Sequence, residues 1–195
     1  SIDQYEQLEL ATSDKITALV STPAGLLVFA DNETFLVRGD PALALQGNFT
    51  IQRFAATIGC DAGVKPARIG GNVFTIWKGK IYAMLLGMGD VDFGTNFSEI
   101  SRPVFNPEDL FVQVVAEPRS RQVIARTTNG RVYRYSTDVG QWFNDSFDSE
   151  ANLEFVLPNV DDRGARYLLG TNLQTIDRGA NNPYVRWRHL DVGDK

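Results

Sequence analysis

Short runs of apolar and aromatic residues, separated by turn residues, dominate the hydrophobic pattern of this chain. Four times, two such runs stand on either side of a turn of two or three residues. β-Branched and aromatic residues favour strands, and Asn, Asp and Gly favour the turns that connect them. The pattern therefore predicts four β-hairpins. They are residues 26–30 with 34–39, 73–77 with 80–85, 123–127 with 131–135, and 167–170 with 173–179.

The third hairpin has the most specific turn sequence. Its Asn129-Gly130 dipeptide favours a type I′ turn, in which both central residues take positive φ. The strand that follows contains Tyr133 and Tyr135, whose aromatic side chains fit the pleated surface of a sheet. This stretch is typical of the middle of a small antiparallel sheet.

Further strands are predicted on either side of the hairpins. They are residues 16–20 and 49–54 around the first, 111–116 and 142–147 around the third, and 153–157 and 184–190 around the fourth. The hairpins begin at residues 26, 73, 123 and 167, and are therefore 47, 50 and 44 residues apart. A four-stranded propeller blade takes roughly 40 to 50 residues. The spacing favours one blade for each hairpin.

The sequence thus predicts an all-β, β-propeller-like fold of about four antiparallel blades, which stands alone or forms part of a larger propeller. A β-sandwich is the alternative. A single domain would span residues 1–195, with repeat units near residues 15–55, 58–105, 107–148 and 150–195. Because an open set of blades leaves unpaired strand edges, we also expect residues 5–10 to pair with residues 184–190 and close the ring.

Composition excludes several classes of protein. The chain has 195 residues, of which 43% are hydrophobic and 22% charged, as in ordinary globular domains. No apolar run approaches the roughly 20 residues that cross a bilayer, so we expect no membrane span. The net charge of −5 argues against sequence-specific nucleic-acid binding, which depends largely on neutralising phosphates.

Candidate metal ligands and nucleophiles are few. Cys60 is the one cysteine and His189 the one histidine, which leaves too few ligands for zinc and no partner for an internal disulfide. We expect Cys60 to be a small buried hydrophobe and His189 to lie on a strand at a blade edge. No cofactor, metal site or catalytic residue is predicted, and we do not expect an enzyme.

One short motif is similar to known blade turns. Ser136, Asp138, Gly140 and the Trp142-Phe143 pair fit the Asp-box pattern, and they also resemble the ends of kelch blades. Both motifs mark a turn between blade strands. The side chains of Ser136 and Asp138 are then expected to bond backbone amides, and Gly140 to take positive φ. The aromatic residue after the turn is expected to fill the space between blades.

A long loop is predicted at residues 87–105, where glycines and aspartates cluster. Loops of this length on rigid β scaffolds often contact partners. The candidate contact residues are Asp90, Asp92, Phe93, Asn96 and Phe97. A calcium loop is a further interpretation, but Asp90 and Asp92 lack the ligand spacing of a recognised calcium motif.

Four segments of the chain carry a family resemblance. They are residues 16–19 leading to 25–29, Ile58-Gly59-Cys60 before residues 71–74, the charged turn at residues 117–122, and residues 130–135. Together they resemble the propeller-forming structural proteins of bacteriophage tails, of the kind called tail tubular protein B or tail nozzle. The resemblance covers residues 15–145.

This resemblance implies a structural virion component, part of the tail tube, nozzle or tip assembly around the channel through which DNA leaves. The implied partners are copies of the chain in a ring and neighbouring tail proteins. An acidic lumen would let DNA slide without sticking. One alternative is a carbohydrate- or receptor-binding propeller at the host surface. The other is a sialidase-like glycoside hydrolase, for which the sequence does not place the required pair of carboxylates.

Overall fold

The computed structural model describes residues 9–39, 49–85, 97–101, 110–145, 156–160, 166–171 and 185–189. These residues form fifteen β-strands in four antiparallel sheets and contain no helix that could span a membrane. In every sheet, strands that follow each other in the chain are neighbours. Four separate small sheets are the arrangement of propeller blades, whereas a β-sandwich has two. The predicted β-propeller-like fold is confirmed.

The four sheets are numbered as blades in chain order. Blade 1 contains β1 (Ile16–Thr22), β2 (Gly25–Ala30), β3 (Thr34–Arg38) and β4 (Thr50–Ala55). Blade 2 contains β5 (Ala67–Ile69), β6 (Asn72–Trp77), β7 (Lys80–Leu85) and β8 (Phe97–Glu99). Blade 3 contains β9 (Phe111–Glu117), β10 (Gln122–Thr127), β11 (Val132–Ser136) and β12 (Gln141–Asp145). The described part of blade 4 contains β13 (Val156–Val160), β14 (Arg166–Thr171) and β15 (Val185–His189).

Three of the four predicted hairpins are confirmed, as β2–β3, β6–β7 and β10–β11. The fourth is wrong in its second strand. Strand β14 pairs with β13 along one edge and with β15 along the other, which leaves no edge for residues 173–179. Those residues lie outside the described ranges. The strand that pairs with β14 instead is β15, which contains Val185 and Trp187, residue types that favour strands.

The type I′ turn lies in blade 2 and not in blade 3. Lys78 and Gly79 connect β6 to β7 with φ angles of 52° and 69°. At the predicted position only Gly130 has positive φ, at 79°, and its amide donates to the Thr127 carbonyl (3.0 Å). The prediction for Asn129 is therefore wrong. The loop has the geometry of a longer hairpin that ends in a left-handed glycine.

A carboxylate holds the Lys78-Gly79 turn in place. Positive φ is unfavourable for a lysine because its Cβ crowds the backbone. Asp61, which precedes blade 2, accepts both turn amides, from Lys78 at 2.7 Å and from Gly79 at 2.9 Å. The Lys78 ammonium also lies over the Trp77 ring, 4.1 Å from its centroid. These contacts stabilise a turn that local propensity disfavours.

One hydrophobic core runs through blades 1, 2 and 3. Phe29 of β2, Phe74 of β6 and Phe111 of β9 all belong to it and are each at most 2% exposed. The middle strands β2 and β6 each bury four successive residues. Strands that are covered on both faces are expected to show such runs. Because the core is continuous, the three blades form one packed body.

A repeated backbone hydrogen bond joins each of these blades to the one before it. The amide of Cys60, just before blade 2, donates to the Ala30 carbonyl at the end of β2 (3.1 Å). The amide of Phe111, at the start of blade 3, donates to the Gly79 carbonyl in the β6–β7 turn (2.9 Å). The acceptor lies at the central hairpin of the preceding blade in both cases. The sequence repeat is therefore also a repeat of the connections between blades.

The predicted ring closure through residues 5–10 falls largely outside the described residues, which begin at residue 9. Leu10 is described, and it packs against Val28, Phe35 and Val37 of blade 1. The pairing of this segment with blade 4 stays a prediction.

The junction between blades 1 and 2 yields a first test at Gly59. A Cβ at this position would lie 2.1 Å from the carbonyl oxygen of Ala30 and 2.6 Å from the backbone carbon of Asp31. Backbone atoms cannot rotate away, so the chain itself would have to shift. We expect Gly59→Ala to lower the free energy of unfolding by about 3 kcal/mol, measured by urea denaturation.

Gly63→Ala is the matched control for Gly59→Ala. A Cβ on Gly63 would meet no atom within 4 Å, so the change carries only the cost of its positive φ of 82°. That cost is about 1 kcal/mol. Equal losses in the two variants would contradict a steric role for Gly59.

Candidate interaction surfaces

Each blade has two faces, and alternation along its strands assigns side chains to them. In blade 1, one face belongs to the core shared with blade 2, and we call it the front face. It contains Leu27, Leu36 and Phe54. The opposite face, which we call the back face, forms a separate apolar cluster. This cluster contains Val28, Phe35 and Val37, with Leu10 and Phe49 packed on it.

Blade 3 also has a back face, by which we mean the face that it turns toward the preceding blade, blade 2. Its back face packs on blade 2, because β9 contacts β5 and β6, and the rings of Phe74 and Tyr135 lie 6.1 Å apart. Val114 and Val123 belong to this back face and are 4% and 0% exposed. The neighbouring blade therefore removes these side chains from water.

Strand register matches the back faces of blades 1 and 3 position by position. Both blades pair their four strands in the same order, and the register of β1 with β2 corresponds to that of β9 with β10. The pairings of the third and fourth strands correspond as well. The matching positions are Leu19 with Val114, Leu26 with Val123, and Ile51 with Trp142.

Three apolar residues on the back face of blade 1 are open to solvent. Leu19 is 61% exposed, Leu26 37% and Ile51 36%. We call Leu19, Leu26 and Ile51 the blade 1 patch. The counterparts Val114 and Val123 are also apolar, yet they are buried. The exposure of the patch is therefore not explained by polar residue types at these positions.

The segment before β1 covers the remainder of this back face. The Nη2 group of Arg53 donates to the Ala11 carbonyl (3.1 Å), and its Nε pairs with Glu33 (2.9 Å). The same guanidinium lies 5.7 Å from the centroid of the Phe35 ring. Leu26 lies at the other end of β2, next to the β1–β2 turn, so this cover leaves it exposed.

The Asp-box-like motif forms the β11–β12 turn of blade 3. Gly140 has a φ of 70°, as predicted, and its amide donates to the Ser136 carbonyl (2.9 Å). The Ser136 hydroxyl accepts the amide of Val139 (3.4 Å). Asp138 departs from the prediction, because its carboxylate pairs with Arg121 of the β9–β10 turn (2.9 Å) instead of a backbone amide. The motif therefore joins two turns of one blade.

The aromatic pair after this turn divides between interior and surface. The Nε1 group of Trp142 donates to the Ile100 carbonyl beside blade 2 (2.8 Å), and its ring stacks on Phe111 at 6.1 Å. Trp142 thus fills the space between blades, as predicted. Phe143 is 45% exposed, because alternation along β12 turns it away from Trp142. The aromatic that fills the space between blades is therefore Trp142 and not Phe143.

Most of the predicted contact loop lies outside the described residues, including Asp90, Asp92, Phe93 and Asn96. Phe97 is described, and it begins strand β8, where it pairs with Met84 of β7. The prediction of a continuous loop over residues 87–105 is therefore wrong at Phe97, which lies in a strand. Strand β8 has only three residues, too few to show an alternating pattern in the sequence.

A cavity of about 350 Å³ separates the innermost strands of blades 2 and 3. Residues 63–68 and 112–116 line it, with Lys65 and Arg68 as cations and no acidic side chain. The Arg68 guanidinium is held by the carbonyls of Ser21 (2.6 Å) and Gly70 (3.2 Å). The cavity could not be predicted from the sequence, because the three-residue strand β5 on one wall is too short to show a strand pattern.

Cys60 is a packing residue, as the sequence predicts. Its side chain is fully buried. Burial is the main cause that raises the pKa of the Cys60 thiol, and the charge of Asp61 adds to it. A thiol with a raised pKa stays protonated and unreactive at neutral pH.

The other candidate ligands of the sequence do not gather into a metal site in the part of the chain that the structure describes. His189 lies on strand β15, as predicted. Within the described ranges, no group of three or more His, Cys, Asp or Glu is placed to hold a metal ion. The calcium interpretation of Asp90 and Asp92 falls outside these ranges.

Comparison with known proteins shows the fold alone. No family model matches the sequence, and no curated protein matches it. The computationally designed Ika4 protein is 13% identical, with a TM-score of 0.54 over 92% of this chain and 94% of that protein.

Two proteins from Bacteroides thetaiotaomicron are similar in structure as well. An auxiliary nutrient binding protein is 10% identical, with a TM-score of 0.52 over 87% of this chain and 41% of that one. The extracellular domain of a one-component system is 14% identical, with a TM-score of 0.52 over 98% of this chain and 24% of that one. The chain thus spans less than half the length of either Bacteroides protein.

The indole hydrogen bond between blades can be tested with Trp142→Phe. We expect this change to lower the free energy of unfolding by about 1 to 2 kcal/mol, because the Ile100 carbonyl loses its donor. Urea denaturation measures the loss. The control Phe143→Leu alters an exposed ring on the same strand and should change stability by less than about 0.5 kcal/mol. Similar losses in both variants would rule out a special role for the indole.

Because the pKa of the Cys60 thiol is raised in the folded protein, the free energy of unfolding should fall as the pH rises. The thiol pKa is higher in the folded protein than in the unfolded chain, so the unfolded state loses the proton first as the pH rises. The stabilisation is complete below the ordinary thiol pKa of about 8.5 and declines as the pH rises toward the folded value. Urea midpoints at increasing pH should fall less steeply for Cys60→Ala than for the wild type. Parallel slopes would contradict this assignment.

Proposed function

We propose that this chain is a structural component of a bacteriophage tail, where it forms part of the tube, nozzle or tip assembly around the DNA exit channel. The observation that carries this proposal is the blade 1 patch, a set of apolar side chains on a rigid sheet that needs another protein surface to cover it. Assembly is the property that such a surface supports.

The residues that carry the resemblance to tail proteins support the same role, because they build the fold. Cys60 provides the hydrogen bond to blade 1, and Ile58 accepts the Thr34 hydroxyl at the same junction (2.8 Å). Glu117 is buried, and its carboxylate accepts the amides of Arg119 (3.3 Å) and Ser120 (2.6 Å) in the β9–β10 turn. The residues that carry the resemblance therefore make the connections between blades and stabilise turns.

The size of the patch indicates how much partner surface is needed. Full burial of a Leu or Ile side chain contributes about 1.5 to 3 kcal/mol. Association of two proteins costs an estimated 4 to 15 kcal/mol in lost freedom. Because Leu19, Leu26 and Ile51 are already partly buried, covering them contributes only about 2 to 4 kcal/mol, which at most reaches the lower end of that cost. A stable complex therefore requires that the partner also contact the surrounding sheet, over a standard interface of about 800 Å² on each side.

Electrostatics agrees with a protein that DNA passes without sticking. The net charge of −5 repels phosphates, and a tail channel that bound DNA tightly would retard its exit. We expect no detectable binding to a 30-base-pair duplex at 150 mM salt, measured by fluorescence anisotropy. Tight binding that weakens steeply as salt is added would contradict a role as a passive channel wall.

Electron microscopy of virions tests the location. Antibodies raised against this chain, applied to purified particles of the phage that encodes it, are expected to label the tail. A preparation of tail-less heads from the same lysate is the control, and it should not be labelled. Absence of the chain from purified particles by mass spectrometry would overturn the proposed function.

The cavity between β5 and β9 favours a second candidate function, a carbohydrate- or receptor-binding propeller at the host surface. Its volume of about 350 Å³ lies within the range of small-ligand sites. Lys65 and Arg68 on its wall suit an acidic sugar. A glycan array separates the two candidates. Specific binding that is lost in Lys65→Ala would favour the binding module over the structural role.

A further inference from the structure

The cavity between β5 and β9 combines cationic and apolar walls. Lys65 and Arg68 supply two positive charges, and no acidic side chain lines the cavity. The other lining side chains are mostly aliphatic. They are Val64, Pro66 and Ala67 from blade 2, and Val112, Val114, Val115 and Ala116 from blade 3. Two kinds of chemistry therefore meet in one space of about 350 Å³.

Arg68 is held in place by groups that leave its charge uncompensated. Its Nη1 group donates to the Ser21 carbonyl (2.6 Å) and its Nε group to the Gly70 carbonyl (3.2 Å), and both acceptors are neutral. In the part of the chain that the structure describes, its Nη2 group has no hydrogen-bond partner. A guanidinium that is already ordered can bind an anion at a lower entropic cost.

Lys65 supplies the second charge. Among the described residues, its ammonium group has neither an ion-pair nor a hydrogen-bond partner. The acidic residues that flank the lining segments in the sequence are Asp61 and Glu117, and the carboxylates of both accept backbone amides of nearby turns. A cleft with charges of one sign and apolar walls concentrates the opposite ion. The cavity is therefore suited to an anion, although the net charge of the chain is −5.

We propose that this cavity binds a small organic carboxylate with an apolar body. Lys65 and Arg68 form charge-assisted hydrogen bonds with the carboxylate, and the aliphatic walls receive the apolar body. An acidic sugar also has a carboxylate, but its hydroxyl groups need polar partners, which aliphatic side chains do not provide. The inference goes beyond the tail role, and it rests on the second candidate function for the location of the site.

Titration of the full chain with hexanoate, followed by two-dimensional amide NMR, tests the proposal. Amide shifts of residues 63–68 and 112–116, which line the cavity, should saturate. The dissociation constant should be about 1 mM or lower, as for an efficient ligand of this size. Hexanamide, the neutral isostere, should bind at least about tenfold more weakly, because it lacks the charge. Failure to saturate with hexanoate up to about 10 mM, or equal affinity for the two compounds, would overturn the proposal.

The variant Lys65→Met tests one of the two cations, and Lys15→Met in blade 1 is its matched control. Both lysines are exposed, so neither change should disturb the fold. Lys65→Met should raise the dissociation constant for hexanoate about threefold or more, because an exposed charge contributes modestly to an ion pair. Lys15→Met should bind like the wild type. Equal affinities of all three proteins would contradict the assignment of Lys65.

The acidic sugar N-acetylneuraminate separates the two sources of a carboxylate. Weaker binding than hexanoate supports the apolar body. Tighter binding, with shifts of the same amides, would overturn it in favour of a glycan site. Virion labelling tests the tail role separately. Hexanoate binding by a chain that is absent from phage particles would uphold the site and reject the tail, and a labelled tail without hexanoate binding would do the reverse.

Discussion

The hydrogen bonds that join blades 2 and 3 to the central hairpin of the preceding blade are the constraint on which the rest depends. They fix how closely consecutive sheets approach, and at Gly59 that approach leaves no room for a side chain. Given this spacing, Phe29, Phe74 and Phe111 can share one core, and Asp61 reaches the turn that it stabilises. Packing between blades and geometry within blades are thus set by the same few backbone contacts.

Three of the hairpins could be predicted from the sequence because their signal is local. Residues at 26–30 and 34–39 are apolar on both faces, and the turn between them is short. The prediction failed where tertiary contacts decide. Asn129 has the right propensity for positive φ, but Lys78 adopts it because Asp61 and Trp77 hold that turn. Strands β5 and β8 have three residues each, and such short strands depend on their neighbours.

The blade 1 patch was also missed, because the strand pairing that matches positions between repeats is known only from the structure. Aligning the first repeat with the third by strand register places Leu19 on Val114 and Leu26 on Val123. Apolar residues at positions that another repeat buries indicate a face that is suited to being covered. Exposure could not be read from the sequence, because the segment that crosses the same face at Leu10 covers some apolar residues and leaves others open. Of the predicted turn residues, Gly140 and Trp142 behave as expected, whereas Asp138 finds a partner that only the fold brings near.

The innermost strands differ in length, and this affects the centre of the propeller. Strands β1 and β9 have seven residues each, whereas β5 has three. The axial edge of β9 therefore extends past its neighbour, and the gap beside it is the cavity that Lys65 and Arg68 line. A cavity of this size can hold water next to the backbone of both strands. We expect local opening of the domain to begin at the junction of blades 2 and 3, because backbone hydrogen bonds that are exposed to solvent open at a lower free-energy cost than buried ones.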